Sequence, residues 1–295
     1  MDNDAYKSRY STYVDLTEKR LRTLCDRYLP AEAEISRAAR YSLFGGGKRV
    51  RAVLVLATCE LFGGDLNSAA DYAAALEMLH CYSLIHDDLP CMDNDDFRRG
   101  RPSCHCEFGE ATALLAADAL VTAAFEAIAN APFSAESRVH AAARLAYGAG
   151  ARGMLYGQEL DKRFEQERAD AEQLLSLHRH KTGALILTGV QLGCEAAEVS
   201  SEQCQSLETY AEEIGLVFQI VDDILDVTSS TETLGKPVGS DAENEKTTFV
   251  TLYGLNGAKE MARQHNCAAL TALEPFGKKA DFLRILAESL LVRNK

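Results

Sequence analysis

Five aspartates, Asp87, Asp88, Asp93, Asp95 and Asp96, fall within ten residues, directly behind the apolar run "CYSLI"; Arg98, Arg99 and Arg101 follow them. Carboxylates this close repel one another, so something positive must hold them. The run before them has helical spacing and stops at Pro90, which puts Asp87 and Asp88 at a helix C-terminus. There the macrodipole opposes each negative charge by about 0.3–1 kcal/mol. A second cluster, "VDDILDV", sets Asp222 and Asp226 four apart on one helical face, with Asp223 beside them. Its apolar flanks predict burial, and buried like charges are costly unless paired or bound to a metal. Oxygen-only ligands select a hard cation, magnesium above all where phosphate oxygens complete its octahedron. A solvated acidic loop is the plainer alternative for "DNDD" at 93–96. Calcium is disfavoured, because "DNDDFRRG" lacks the glycine and glutamate register of an EF-hand loop.

The arginines ask for the complementary charge. Arginine is the bidentate partner of phosphate. "GGGKRVR" offers Lys48, Arg49 and Arg51 after a glycine break, a loop able to lay N–H groups and cations on a phosphate. It lacks the register of a nucleotide P-loop. "HRHKTG" adds Lys181 and Thr182, and "GKPVGSDAENEK" adds Lys236 and Lys246. Any one of these alone is more often a surface charge than a ligand. "Cys104-His105-Cys106" looks like half a zinc site, but no second half follows in the sequence, so no zinc site is read from it.

The elements that must position these groups are helical. Apolar residues recur at helical spacing before Pro30, through "VRAVLVLATCELF" to Gly63-Gly64, and from about Leu66 to Leu89. Further periodic segments cover 111–130, 136–149, 171–195, 203–227, 243–264 and 278–293. Strand and hairpin signals are nearly absent. The 295 residues, with no proline- or serine-rich linker, predict a single all-α domain over 1–295. The acid clusters stand 135 residues apart at matching points of two helices, as two walls of one cavity would. The formal net charge of −13 argues against nucleic acid as a partner but permits a local basic pocket for a small phosphorylated substrate. The start of the chain does not read as a signal peptide. The longest apolar stretch, "ALLAADALVTAAFEAIANA", carries Asp118 and Glu126, so no spanning segment is expected. Nine scattered cysteines without a CxxC pair predict free thiols in a reducing, cytoplasmic compartment.

Taken together, "GGGKRVR", "LEMLHCYSLIHDDLP", "RRGRPSCH", "HRHKTGAL", "FQIVDDILD" and "LGKPVGSD" resemble, in order, the motifs of the trans-isoprenyl diphosphate synthases, nearest to the bacterial type that makes farnesyl diphosphate. "DDLPCMD" resembles the first aspartate-rich motif of that family and "DDILD" the second; the ending "RNK" also fits. Ala52 and Val250 stand where the family usually has proline.

The resemblance implies a homodimer whose chains are bundles of ten or more helices around a central cavity. It implies condensation of isopentenyl diphosphate with dimethylallyl or geranyl diphosphate by ionisation, condensation and elimination, with geranylgeranyl diphosphate as the alternative product. Magnesium is the implied cofactor, three ions with substrate bound, with manganese as a substitute. Asp87, Asp88 and Asp93 of the first motif and Asp222 and Asp226 of the second are the implied metal ligands, Asp223 less so. Arg98, Lys181, Thr182, Gln219, Lys236 and Lys246 would meet the allylic diphosphate, with Lys181, Thr182 and Gln219 nearest the reacting centre. Lys48, Arg51, His80 and Arg99 would bind isopentenyl diphosphate; His80 alone reads as a core histidine, and its place in "LEMLH", seven residues before Asp87 on the same helical face, makes it a ligand.

Tyr82 and Ser83 stand where the family sets chain length. Tyr82 lies five residues before Asp87, about 7.5 Å along a helix, where a large ring can act as a floor to the growing chain. A terpene cyclase would carry a different second motif and no isopentenyl site, and a non-catalytic subunit would have lost acids from one cluster.

Overall fold

Helices begin and end where caps and breakers are written into the chain. The computed structural model describes residues 1–228 and 246–293. α1 (Asn3–Tyr28) starts on the Asp2 side chain, which accepts from the Ala5 N–H, and ends before Pro30. α2 (Glu34–Leu43) runs to the triple-glycine break, and α3 (Val50–Leu61) emerges from it. α4 (Leu66–Asp87) is capped by Asp65, whose carboxylate accepts from the N–H groups of Asn67 and Ser68. A short hairpin, β1 (Phe97–Arg98) and β2 (Arg101–Pro102), leads to α5 (Cys104–Phe108) and α6 (Glu110–Ala129). α7 (Ala135–Ala149), α8 (Met154–Phe164) and α9 (Ala171–His178) follow. A π-helical turn (Arg179–Gly183) continues directly into α10 (Ala184–Ala196). α11 (Ser201–Thr228), α12 (Phe249–Ala272), a 3-10 turn (Glu274–Ala280) and α13 (Asp281–Leu291) complete the described chain.

The fold is all-α, as the periodicity predicts. The Cα trace forms two compact units. One holds Asp2–Leu145 and Gln191–Val199; the other holds Met1, Ala146–Val190 and Ser200–Lys295. In the first unit α4 is buried on most of its circumference and packs on α1, α3 and α6. In the second, α11 packs on α12, α13 and the π turn. These two helices carry the two acid clusters at or near their C-terminal ends.

Several expectations are refined. The hairpin at 97–102 is absent from the periodicity, because each strand has only two residues. The segment read as 171–195 is two helices joined by the π turn, and the helix read from 243 begins at Phe249. α8 lay outside the periodic segments. α6 has the length and mean hydropathy (1.6) of a membrane span, and 44% of its most apolar window is buried inside the protein. Seven cysteines are free thiols. Cys194 and Cys204 are each disulfide-bonded, which corrects the expectation of free thiols throughout.

Candidate active site

In the first unit, α4 ends at Asp87, and the backbone then turns back on itself. The N–H groups of Met92 and Asn94 donate to the Leu89 carbonyl at 2.8 and 3.2 Å, and the Asp93 N–H donates to the Asp87 carbonyl at 2.9 Å. The four residues between the second and third acids are thus the loop that returns Asp93 to the end of α4. Asp87 and Asp93 are half-buried, whereas Asp95 and Asp96 are exposed. Asp88 is 2% exposed and grips Arg98: Nε donates to Oδ1 at 2.9 Å, and Nη2 donates to the same oxygen. Arg98 Nη2 also lies 3.4 Å from Asp95. Burial pushes the Asp88 carboxyl up, against the pull of Arg98.

Arg98 faces Arg101 across a two-residue turn, and both turn residues, Arg99 (φ 54) and Gly100 (φ 74), have positive φ. Primed hairpin turns need that sign. The turn aims Arg99 at the glycine break, where it donates to the Gly46 carbonyl. Gly47 sits at φ +129, and a Cβ there would lie 2.8 Å from the Arg99 guanidinium carbon. The backbone conformation therefore favours glycine, while the Arg99 guanidinium, at the far end of a flexible side chain, could shift for a methyl.

Arg51 Nη1 lies 3.2 Å from His80 Nε2. Burial first, and then the charges of Arg51 and Arg99, keep the His80 imidazole neutral by lowering its pKa well below the ordinary value. The Arg51 guanidinium is lowered too, by burial and by Arg99, against the pull of Glu77. Arg51, His80 and Arg99 therefore form one electropositive group. Lys48 is exposed, and its backbone carbonyl accepts from the Tyr10 hydroxyl at 2.6 Å. Arg49 is structural: it is buried between Glu18 (2.7 Å) and Glu77 (3.3 Å) and donates to the Leu43 carbonyl. Tyr82 is 7% exposed, its ring lies edge-on to His86 at 5.3 Å, and burial followed by the charge of Asp87 raises its phenol to about 12. The Ser83 hydroxyl donates to the His80 carbonyl at 2.9 Å.

In the second unit a cavity of about 250 Å³ is lined by Asp161, Lys181, Gln219, Asp222, Asp223 and Lys246, among others. Lys181 pairs with Asp161. Burial alone would raise Asp161, but Lys181 and Lys246 outweigh it and hold the carboxyl below its ordinary value. Lys246 stands 3.7 Å from Glu165. A relay crosses the cavity wall: the Thr182 hydroxyl donates to Gln219 Oε1 (3.1 Å), Gln219 Nε2 donates to Asp223 Oδ1 (3.2 Å), and the Phe249 N–H donates to Asp223 Oδ2 (2.8 Å). Asp223 thereby fixes the start of α12. Asp226 is 2% exposed. Asp222 is bound by Arg293 at 2.7 Å, while Arg293 also donates to the Phe218 carbonyl and stacks over the Phe218 ring.

The π turn presents Lys181 and Thr182 because α8 comes very close. A Cβ on Gly157 would stand 2.1 Å from the Lys181 nitrogen. Single π turns are frequent at functional sites.

Each predicted residue in the described chain thus falls into one of two groups, one per unit. Lys236 lies outside the described residues. Asp161, Glu165, Glu77 and Arg293 were not foreseen as partners. Only the ending "RNK" signalled one of them, and a lone carboxylate on a helix carries no signal until its cation is placed. The donor sets fit a hard cation: Asp87, Asp88 and Asp93 in one motif and Asp222 and Asp226 in the other offer only carboxylate oxygen.

Residues 32–285 match the family model described as "Polyprenyl synthetase". The chain is 42% identical over 273 residues to a farnesyl diphosphate synthase of Micrococcus luteus, covering 92% of this chain and 94% of the relative. It is 47% identical over 264 residues to a chloroplastic geranylgeranyl pyrophosphate synthase of Capsicum annuum, covering 88% and 72%. Its structure is similar to that of a geranyltransferase from Helicobacter pylori solved with magnesium and isoprenyl diphosphate, with a TM-score of 0.83, 34% identity and 96% of each chain covered. The aspartate motifs, the basic loops and these likenesses agree, and the chain belongs to the polyprenyl synthetase family.

Proposed function

We propose that this prenyltransferase is a farnesyl diphosphate synthase that joins isopentenyl diphosphate to dimethylallyl and then geranyl diphosphate. The observation that supports the fifteen-carbon product is Tyr82, a buried ring one helical turn and a half before Asp87 and close enough to feel its charge. The pepper relative supports a geranylgeranyl product instead, at 47% identity.

In this reading Asp87, Asp88, Asp93, Asp222 and Asp226 hold magnesium. When bound, the ions neutralise the charge that develops on the departing diphosphate. Arg98, Lys181 and Lys246, with Lys236, supply further positive charge to the allylic diphosphate. Thr182 and Gln219 are oriented by their own relay toward the reacting centre. Arg51, His80, Arg99 and Lys48 hold isopentenyl diphosphate; a neutral imidazole beside two guanidinium groups adds a hydrogen bond without repelling them. Departure of diphosphate leaves the allylic cation, the double bond of isopentenyl diphosphate attacks it, and the new cation loses a proton to the departed diphosphate to form the product alkene; apolar helix faces keep water from quenching the cations. The match over residues 32–285 spans both units, which supports reading them as one catalytic domain. The family supports a cytoplasmic homodimer.

The test is the pure protein incubated with magnesium, isopentenyl and geranyl diphosphates, with product length measured. A fifteen-carbon product is expected. Twenty carbons would assign the alternative, and no product without a second chain would assign a non-catalytic subunit.

A further inference from the structure

Two motifs that the reaction does not use meet in space. Asp96 is the last acid of the "DNDD" loop, and His105 and Cys106 belong to the half zinc motif that had no second half in the sequence. The β1–β2 hairpin brings them together, held at its base by the Ser103 N–H donating to the Asp96 carbonyl at 2.8 Å. Cys106 Sγ lies 3.5 Å from Asp96 Oδ1 and 3.4 Å from His105 Nε2. The three ligand atoms all lie within 4.8 Å of one another.

The two sulfur separations are near the edges of a tetrahedral zinc site. With Zn–S about 2.3 Å and Zn–N about 2.1 Å at tetrahedral angles, sulfur and nitrogen stand about 3.6 Å apart. The imidazole is also oriented for the task. His105 Nδ1 is 3.0 Å from the Ser103 hydroxyl, which leaves Nε2 as the ligand atom, in the way that outer hydrogen bonds orient ligating histidines. Asp96 and Cys106 are exposed and His105 is half-buried, so an ion can enter from solvent. Cys104 is no part of the group: it is buried, with its sulfur 3.8 Å from the Ala38 carbonyl.

We infer that Asp96, His105 and Cys106 form a binding site for a thiophilic divalent ion, zinc foremost, distinct from the oxygen-only magnesium ligands. Three protein ligands leave the fourth position to water, the open form of a zinc site. Binding takes Cys106 as thiolate and releases its proton to solvent, so affinity rises with pH. The ion would staple the base of the hairpin that carries Arg98 and Arg99.

Cobalt(II) is the probe, added to the reduced full-length protein in the presence of excess magnesium, which occupies the carboxylate motifs. The expected result is a thiolate-to-cobalt charge-transfer absorption that saturates near one equivalent and is displaced by zinc. Cys106→Ser should abolish the absorption. His105→Gln and Asp96→Asn should each weaken cobalt binding at least tenfold, and Cys91→Ser with Cys267→Ser should leave it intact. All of these side chains are exposed or half-buried, and circular dichroism checks that each variant is folded. Absence of the absorption in the unsubstituted protein, its survival in Cys106→Ser, or unchanged affinity in Asp96→Asn overturns the assignment.

Discussion

At the scale of single residues, the two neighbouring arginines of "RRGR" have different surroundings, and that difference predicts different variants. Arg98 neutralises a carboxylate that is 2% exposed. Arg98→Ala strands Asp88 and should cost about 3–5 kcal/mol of stability, the range for breaking a buried pair, discounted toward the lower end because the Arg98 side chain is 35% exposed. Arg99 touches the Gly46 carbonyl in an exposed turn. Arg99→Ala should leave the melting temperature within about 2 °C, since exposed sites contribute little, while raising the KM for isopentenyl diphosphate more than that for the allylic substrate. Equal losses of stability in the two variants would contradict the distinction. Tyr82→Ala, assayed with excess isopentenyl diphosphate, should lengthen the product to twenty carbons and beyond. A folded, active variant that still stops at fifteen would place the floor elsewhere.

At the scale of elements, the π turn is the part that packing dictates most narrowly. Gly157→Ala puts a methyl 2.1 Å from the Lys181 backbone nitrogen, so α8 and the turn must separate. Overpacking of this kind costs about 1–3 kcal/mol, and it should also displace Lys181 from Asp161 and cut turnover at least tenfold, measured by melting and by product assay together. The Lys181–Asp161 pair has a pH signature as well. The folded-state pKa of Asp161 lies below the ordinary 3.8. Its contribution is therefore complete above that value and is lost as pH falls through the folded one. Acid unfolding of Lys181→Ala should show a smaller step, because Lys246 still lowers the Asp161 carboxyl.

At the scale of the whole molecule, in the proposed reading an acidic chain of net charge −13 binds polyanionic substrates through local cations and metal. Chelation should stop turnover reversibly. A ligand present at 100 times its Kd adds about 2.7 kcal/mol to the stability of the state it binds, so magnesium with inorganic diphosphate should raise the melting temperature by several degrees. Asp87→Ala and Asp222→Ala should each lose most of that rise and most of the turnover while keeping the helical circular dichroism, because both side chains are only half-buried and stand outside the apolar core. If either variant kept both, the metal assignment would fail for that motif.

Much of this molecule was legible before any coordinates. Helical periodicity gave an all-α fold because amphipathic spacing is a local property of the chain, and proline, glycine and aspartate marked where α1 and α4 stop or start. The two acid clusters were legible for an electrostatic reason, since crowded carboxylates at a helix end make no sense without a cation. What the sequence could not supply were pairings between residues distant along the chain. Nothing local couples Arg49 to Glu77, Lys181 to Asp161, or Asp222 to Arg293, because an ion pair depends on which helix faces come together. The π turn is the same kind of fact: its residues read as ordinary helix, and only the glycine contact with α8 gives it room. The half zinc motif likewise waited for the hairpin, whose fold-back alone brings Asp96 to His105 and Cys106.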